Sequence, residues 1–394
     1  MNIKQIATLL GSVTEEILGS SEIVKEDLQN VVDIGTAILS ATSYDHYVKT
    51  LVNHIGKVMF VDRPYGGGAP SVFRDSWEYG AILEKVSFDL PDATDNSAWN
   101  LTDGTSYADE EHTFHKPAVS VKFFSDRTTY NIPISITERQ VKESFSSVNQ
   151  LNGFISGIYN AVENAITVKN DSLVMRTINN MIAETLYNAD STGKYGDNSF
   201  VRAVNVLKLY NDRFTKTLKA EESINDPDFI RFASYIIAMY KDRMSKMSTL
   251  FNVGGKERFT PSDRLHVVLL SDFARGADIY LQSDTYHNEL TRLPEYESVS
   301  YWQGSGTDYG FGSVSDIHVN TADNHEVTAS GIIGVMFDEY ALGVTNFDRW
   351  VTSKYTASAD FTNYWFKVDA GYFNDMNENF VVFYVADPTP APAP

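Results

Sequence analysis

The sequence contains no cysteine among its 394 residues. This absence excludes disulfide frameworks, thiolate metal sites and cysteine nucleophiles. Packing must therefore stabilise the fold, and the composition can supply a large core because 43% of the residues are hydrophobic and 13% are aromatic. At roughly 150 residues per domain, the length indicates two or three structural units.

Basic residues are also scarce. The 32 lysines and arginines are outnumbered by 52 aspartates and glutamates, which gives a net charge of −20 at pH 7. Because DNA phosphates and anionic lipid surfaces repel such a chain on average, we expect neither sequence-specific DNA binding nor binding to membrane surfaces.

Long apolar runs are missing. The two best candidates are HVVLL (266–270) and GIIGVMF (331–337), and both fall far short of the ~18 residues of a transmembrane helix. The N-terminal stretch is too polar for the apolar core of a signal peptide. We therefore expect no membrane partner and no secretory route.

Catalytic signatures are absent from the sequence. It has no phosphate-binding loop, no G-x-S-x-G nucleophile elbow and no H-E-x-x-H zinc motif. His112 and His115 in HTFH could contact a metal, but no third ligand follows at a fixed spacing, and two exposed polar residues are the favoured interpretation. We therefore predict that the protein is not an enzyme and has no catalytic residue, cofactor or metal.

The first third of the chain has strong local patterns. Residues 1–58 carry apolar residues at helical spacing, and DRPYGGGAP (62–70) then interrupts regular structure with glycine and proline. Two strand-like runs follow, AILEKVSFDL (81–90) and PAVSVKFF (117–124), and the segment between them is acidic and polar. Together they predict a long hairpin with a solvated tip.

The returning half of this hairpin changes face. Val119, Val121 and Phe123 occupy odd positions, whereas the apolar residues of YNIPISI (130–136) occupy even positions. Since side chains alternate between the two faces of a strand, we expect a bulge or bend near 125–127.

A proline interrupts the strand that follows the bend. Pro133 lacks the amide proton that a ladder uses, so this strand is predicted to lie at the edge of a sheet. Directly afterwards, Thr137 and Gln140 have the spacing of a capping box. From Val148 to about Asn188 there is no proline and apolar residues keep a 3.6-residue period, which predicts one long helix.

The second half of the chain mixes helices and strands. FIRFASYIIAMYKDRMSKM (229–247) and DFARGADIYL (272–281) predict helices, and RLHVVLLS (264–271) predicts a buried strand. Aromatic and β-branched runs from Gly331 onward predict a series of closing strands. The fold class is therefore α+β.

Four longer stretches carry a resemblance to a known family. They are RPYGGGAPSVFRDSWEYGAILEKV, ITERQVKESFSS, NAVENAITVKNDSLVMRTINNMIAETL and GYFNDMNENFVVFYVAD. With the order of the predicted elements, they make the chain resemble the major capsid proteins of tailed bacteriophages with the Hong Kong ninety-seven fold, particularly those of phages that infect Gram-positive bacteria. The resemblance covers nearly the whole chain.

The resemblance implies a capsid fold with an N-arm, an extended E-loop hairpin, a peripheral domain that contains a long spine helix, and an axial domain. The implied boundaries are 1–58 for the N-arm, 59–136 for the E-loop with its flanking strands, 137–189 for the peripheral domain with the spine helix, 190–343 for the axial domain, 344–387 for the closing strands of the peripheral domain and 388–394 for a proline-rich tail.

The function that the resemblance implies is structural. Copies of the chain would assemble through hexamers and pentamers into the icosahedral head that encloses phage double-stranded DNA. The expected partners are many copies of the chain itself, a separate scaffolding protein, a portal and decoration proteins. The expected location is the virion, after assembly in the host cytoplasm.

The E-loop is where we expect contacts between subunits. An isolated two-stranded ribbon is at best marginally stable in water, so a long hairpin needs a surface from another copy. The candidate contact residues are Phe88, Trp99, Tyr107, Phe114 and Lys122. Lys85 also lies on the arm, and we expect both lysines to be ordinary solvated surface residues.

Two alternative functions stay open from the sequence. A shell protein of a cargo-loaded nanocompartment would share the fold and enclose an enzyme instead of a genome. A soluble enzyme that uses scattered carboxylates would need a defined pocket and would be a monomer or a small oligomer.

Overall fold

The computed structural model describes residues 3–19, 24–25, 31–41, 46–47, 49–50, 70–72, 82–91, 114, 116–137, 148–191, 201–282, 293–303, 310–321 and 324–387. The chain divides into two compact units. The first comprises residues 1–76, 126–174 and 344–372, and the second comprises residues 77–125, 175–343 and 373–394.

The described chain combines helices with runs of consecutive strands, as expected for an α+β protein. The helices are α1 (Ile3–Leu18), α2 (Val31–Ala41), α3 (Val148–Ser191), α4 (Val206–Phe214), α5 (Ala220–Ser223), α6 (Pro227–Met244), α7 (Ser271–Gln282) and α8 (Phe311–Val314). The strands are β1 (Leu83–Phe88), β2 (Val119–Phe124), β3 (Arg127–Thr137), β4 (Ala203–Asn205), β5 (Leu265–Leu270), β6 (Glu297–Val299), β7 (Ile317–Asn320), β8 (Glu326–Ala329), β9 (Ile332–Asp338), β10 (Leu342–Thr356), β11 (Phe361–Asn374) and β12 (Phe380–Tyr384).

The first unit packs helices against one face of a three-stranded sheet with the order β10, β11, β3. Alternate residues of β11, including Tyr364, Phe366 and Val368, are buried, as expected for a sheet with one covered face. They share a core with apolar side chains of α1, α2 and α3, such as Leu10 and Val162.

The second unit is built on a five-stranded mixed sheet with the order β4, β12, β9, β5, β6. All residues of β9 and β12 are buried, which indicates that both faces of the central strands are covered. Apolar side chains of α4, α6 and α7 belong to the same core as β5, β9 and β12. A separate antiparallel pair, β7 with β8, belongs to this unit too.

The predicted long helix is confirmed. Helix α3 has 44 residues, so it is about 66 Å long at a rise of ~1.5 Å per residue. Its residues 148–174 belong to the first unit and its residues 175–191 to the second. No helix in the described ranges is long and apolar enough to cross a membrane.

The edge position of the proline-containing strand is also confirmed. Strand β3 lies at the edge of its sheet, and Pro133 pairs with Trp365 of β11. An edge strand has one side without a ladder neighbour, so the missing amide proton is tolerated there. Thr137 is the last residue of β3, and the rest of the predicted capping box lies outside the described residues.

Gly331 provides a test of the packing in the second unit. Its φ is +75°, and a Cβ added at this residue would collide with the carbonyl oxygen of Val385. Gly255 has a similar φ of +64°, with no atom within 4 Å of the same position. Gly255→Ala should therefore cost only the backbone strain, about 1–2 kcal/mol. Gly331→Ala should cost a further ~1–3 kcal/mol because of the collision.

Chemical denaturation of the two variants measures this difference. Equal free energies of unfolding for Gly331→Ala and Gly255→Ala would contradict the described approach of Val385 to Gly331.

Candidate inter-subunit surface

Strands β1 and β2 form the two-stranded antiparallel hairpin that the sequence predicts. Six residue pairs connect them, from Leu83 opposite Phe124 to Phe88 opposite Val119. After a break at residues 125–126 the chain continues into β3, which pairs with β11 and not with β1. The strand therefore ends where the sequence predicts a bulge or bend. The more buried positions are nevertheless even-numbered in both β2 and β3, so the apolar residues change parity there without a change of the buried face.

Five of the six side chains on the outward face of this hairpin are apolar, and the sixth is Glu84. Phe88 and Phe123 are 68% and 65% exposed, and three valines on the same face are about half exposed, namely Val86, Val119 and Val121. A sheet that faces water on one side normally turns its polar residues outward. The hairpin does the opposite, and a continuous exposed apolar patch of this kind marks an interaction surface.

The inward face is polar at its centre. Lys85 and Lys122 lie directly opposite each other across the two strands, and Ser87 faces Ser120 in the next inward pair. The Nζ atoms of the two lysines donate to the two different carboxylate oxygens of Asp375, each over 2.7 Å. One buried carboxylate therefore bridges both strands of the hairpin.

Further contacts fix the same region. The Lys85 ammonium also donates to Glu378 over 2.7 Å and to the backbone carbonyl oxygen of Tyr340 over 3.2 Å. Asp89, directly after β1, accepts a 2.9 Å hydrogen bond from Lys256. Contacts to the rest of the second unit thereby hold β1 at Lys85, within the strand, and at Asp89, directly after it.

One apolar contact accompanies the ionic ones. The ring of Phe124, which points inward at the end of β2, lies 5.2 Å from the ring of Phe373, centroid to centroid. Aromatic pairs at this distance add about 0.5–1.5 kcal/mol beyond the burial of their surface.

Asp375 titrates abnormally because of this environment. Its side chain is only 2% exposed, and burial alone would raise the pKa of the carboxyl group. Hydrogen bonds from Lys122 and Lys85, and one from the backbone amide of Asn377, outweigh the burial and lower the pKa below its ordinary value.

The structure describes three of the five predicted contact residues, and these three differ in exposure and in their contacts. Phe88 and Phe114 are exposed, the latter to 84%, whereas the ammonium group of Lys122 is bound to Asp375 of its own chain. Trp99 and Tyr107 lie outside the described residues, as do both histidines of HTFH.

The expectation that Lys85 and Lys122 are ordinary solvated lysines is wrong. Both form ion pairs within the chain, and the Lys85 side chain is only 19% exposed. Sequence reasoning also missed Asp375, because nothing local connects a turn near the C-terminus to a hairpin 253 and 290 residues earlier. The available signal was the alternation in β2, where valine and phenylalanine share the face opposite to Lys122.

Comparison with known proteins identifies the type of protein that carries this hairpin. A sequence model of the family described as Phi29-like phage major capsid protein matches residues 10–384. The chain belongs to this family. It is therefore a structural protein of a phage capsid, a component of the virion shell that is built from many copies.

Solved structures support the same fold for the capsid chain. A chain in the capsid structure of Staphylococcus phage Andhra is 9% identical, with a TM-score of 0.51 over 83% of this chain and 86% of that one. A chain in the structure of head fiber and inner core protein gp22 of native bacteriophage P68 is 8% identical, with a TM-score of 0.50 over 82% and 86%. The fold is the predicted α+β capsid fold of the Hong Kong ninety-seven type. A search of curated proteins finds no match.

Among the residues that the structure describes, no group of three or more histidine, aspartate or glutamate side chains is arranged to hold a metal ion.

The lowered pKa of Asp375 gives a pH prediction for the capsid chain. A carboxyl group with a lower pKa in the folded state contributes stability that is fully present above its unfolded pKa, near 3.8, and is lost as the pH falls through the folded pKa. The hairpin contacts should therefore persist from neutral pH down to about pH 4 and weaken only below it.

Carboxyl-carbon NMR of aspartate-labelled protein measures this titration, with Asp375→Asn to assign the signal. The midpoint should lie below 3.8 in the unaltered chain. In the Lys85→Gln, Lys122→Gln double variant it should rise, because burial then acts with far less opposing charge. A midpoint that stays unchanged in the double variant would contradict the bridging contacts.

Proposed function

We propose that this capsid protein assembles through hexamers and pentamers into an icosahedral head that encloses phage double-stranded DNA, and that the outward apolar face of the β1–β2 hairpin lies on a neighbouring copy. The observation that carries the proposal is the inverted polarity of the hairpin. Five of its six outward side chains are phenylalanine or valine, and four of its six inward side chains are lysine or serine. A shell of many copies supplies the apolar surface that such a face needs.

The energetics favour a covered hairpin. Complete burial of a valine or phenylalanine side chain contributes about 1.5–3 kcal/mol, and five such side chains are on the outward face. Residue pairs between two strands do not stabilise an isolated ribbon on their own. A standard protein interface buries roughly 1,600 Å², and the hairpin face can contribute one part of such an interface.

The charge of the chain supports the enclosure of DNA without sequence-specific binding. A net charge of −20 disfavours adhesion of the inner wall to packaged phosphates. The match to a phage family supports a genome over an enzyme cargo as the content of the shell.

The finer roles follow the family resemblance. We propose that the candidate contact residues Phe88, Trp99, Tyr107 and Phe114 take part in inter-subunit contacts, and that Lys122 acts through its ion pair instead. A separate scaffolding protein, a portal and decoration proteins are the proposed partners, with assembly in the host cytoplasm. The N-arm, E-loop, peripheral and axial divisions given above are proposed for this chain, whose role is structural and not enzymatic.

Removal of the apolar face tests the proposal. Val121→Thr combined with Phe123→Thr keeps the β-propensity of the strand and makes its outward face polar. Because both residues are exposed, the free energy of unfolding of the unassembled chain should change by no more than about 1 kcal/mol. Shell formation should fall at least tenfold in sedimentation velocity and negative-stain microscopy.

Ile279→Thr is the matched control. Ile279 is 64% exposed on α7, away from the hairpin strands, so its replacement should leave shell formation within about twofold. Normal shell yield from the hairpin double variant, or a chain that stays monomeric at high concentration even with its scaffolding protein, would overturn the proposal.

A further inference from the structure

The hairpin contains a repulsive pair at its centre. Lys85 and Lys122 are direct cross-strand partners on the inward face, and like charges in this position destabilise a two-stranded ribbon. The carboxylate of Asp375 offsets the repulsion between the two ammonium groups, because each of them lies 2.7 Å from a different oxygen of Asp375. The hairpin strands therefore depend on a residue that is not part of the hairpin.

Asp375 is itself firmly held. Its backbone amide donates to the carbonyl oxygen of Ala341 over 2.7 Å, and its Oδ1 atom accepts from the amide of Asn377 over 3.0 Å. The residue lies in the short turn between β11, of the three-stranded sheet, and β12, of the five-stranded sheet. The position of the carboxylate is therefore fixed by its own contacts, and the two lysine side chains bind it there.

The other charged groups near Asp375 do not contact the two lysines equally. Glu378 contacts Lys85 over 2.7 Å and Arg258 over 3.5 Å. Among the ion pairs of the described residues, Lys122 is joined to Asp375, whereas Lys85 keeps Glu378 as a second partner. Loss of Asp375 would therefore leave two ammonium groups facing each other with one carboxylate on only one of them.

We propose that Asp375 is the positioning residue of the assembly surface: by binding Lys85 and Lys122 together, it determines which face of the hairpin turns outward. The opposite orientation would place valine and phenylalanine against the acidic turn and expose the lysines. Because the two faces of a strand exchange completely when it is turned over, the bridge selects between two discrete presentations. This inference rests on the proposed function, yet Asp375 itself is almost fully buried and acts through the hairpin.

Asp375→Asn tests the positioning role. Asparagine has nearly the same shape and still offers an oxygen to the amide of Asn377, but it carries no charge. In the unassembled full-length chain, amide hydrogen exchange of residues 83–88 and 119–124 should accelerate at least tenfold. Exchange in residues 227–282 should stay unchanged, and shell yield should fall at least tenfold although the apolar face is intact.

A charge-balanced variant separates positioning from simple support of the turn. Adding Lys122→Gln to Asp375→Asn removes the facing charges and leaves Lys85 with Glu378. Positioning by charge predicts that exchange in both strands slows again by at least threefold relative to Asp375→Asn alone, with partial recovery of shell yield. If Asp375 only supported the turn, the second substitution would give no recovery, and that result would overturn the inference.

Asp369→Asn is the matched control. Asp369 lies on β11, and its ion-pair partner, at 3.4 Å, is Arg127 of β3. This variant should leave hairpin exchange and shell yield unchanged. Equal effects of Asp369→Asn and Asp375→Asn would refute a specific role for Asp375.

The two proposals fail in different ways. If Asp375→Asn changes neither exchange nor assembly while loss of the apolar face still abolishes shells, the positioning role is wrong and the proposed function stands. If the hairpin exchange responds as expected but no variant or unaltered chain forms shells, the proposed function is wrong.

Discussion

Two lysines that face each other across a two-stranded ribbon, with one buried carboxylate between them, set the constraint on which this capsid chain depends. Without Asp375 the inward side of the hairpin would be a repulsive pair. With it, Lys85 and Lys122 are held against the turn between β11 and β12. Since side chains alternate along a strand, Phe88, Phe123 and the three valines must then point to solvent.

The hairpin is therefore held by a different kind of interaction from the two hydrophobic cores. In both units the apolar side chains turn inward and the sheets are stabilised by their own packing. In the hairpin, charge holds the strands to their own chain, and five apolar side chains stay exposed. Ionic contacts suit this division because a partly buried ion pair is directional, whereas apolar packing is satisfied by any surface that excludes water.

Much of the fold could be predicted from the sequence because its signals are local. The period of α3, the alternation in β1 and β2, and the edge strand marked by Pro133 each depend on neighbouring residues. The parity change of the apolar residues at 125–126 does not mark a change of the buried face, since even-numbered positions are the more buried in both β2 and β3. The exposed position of Phe88 also agrees with its place on the predicted arm.

The candidate site was only partly predictable because its decisive contacts are distant in sequence. Lys85 and Lys122 have the spacing of ordinary strand residues, and nothing near them indicates a carboxylate more than 250 residues away. Asp375 is likewise typical of a turn residue, with Asn377 two positions later. The contact between the lysines and Asp375 depends on the packing of the second unit, which no local pattern encodes.

We propose that the outward face of the hairpin is free in the single chain and covered in the shell, while the inward face is bound to its own chain in both. Because the sequence has no cysteine, Val121→Cys introduces a single thiol on the outward face, and its rate of maleimide labelling can be compared between unassembled chains and assembled particles. We expect fast labelling of the unassembled chain and labelling at least tenfold slower in particles. Equal rates in the two states, or slow labelling of the unassembled chain, would show that the outward face is not covered on assembly.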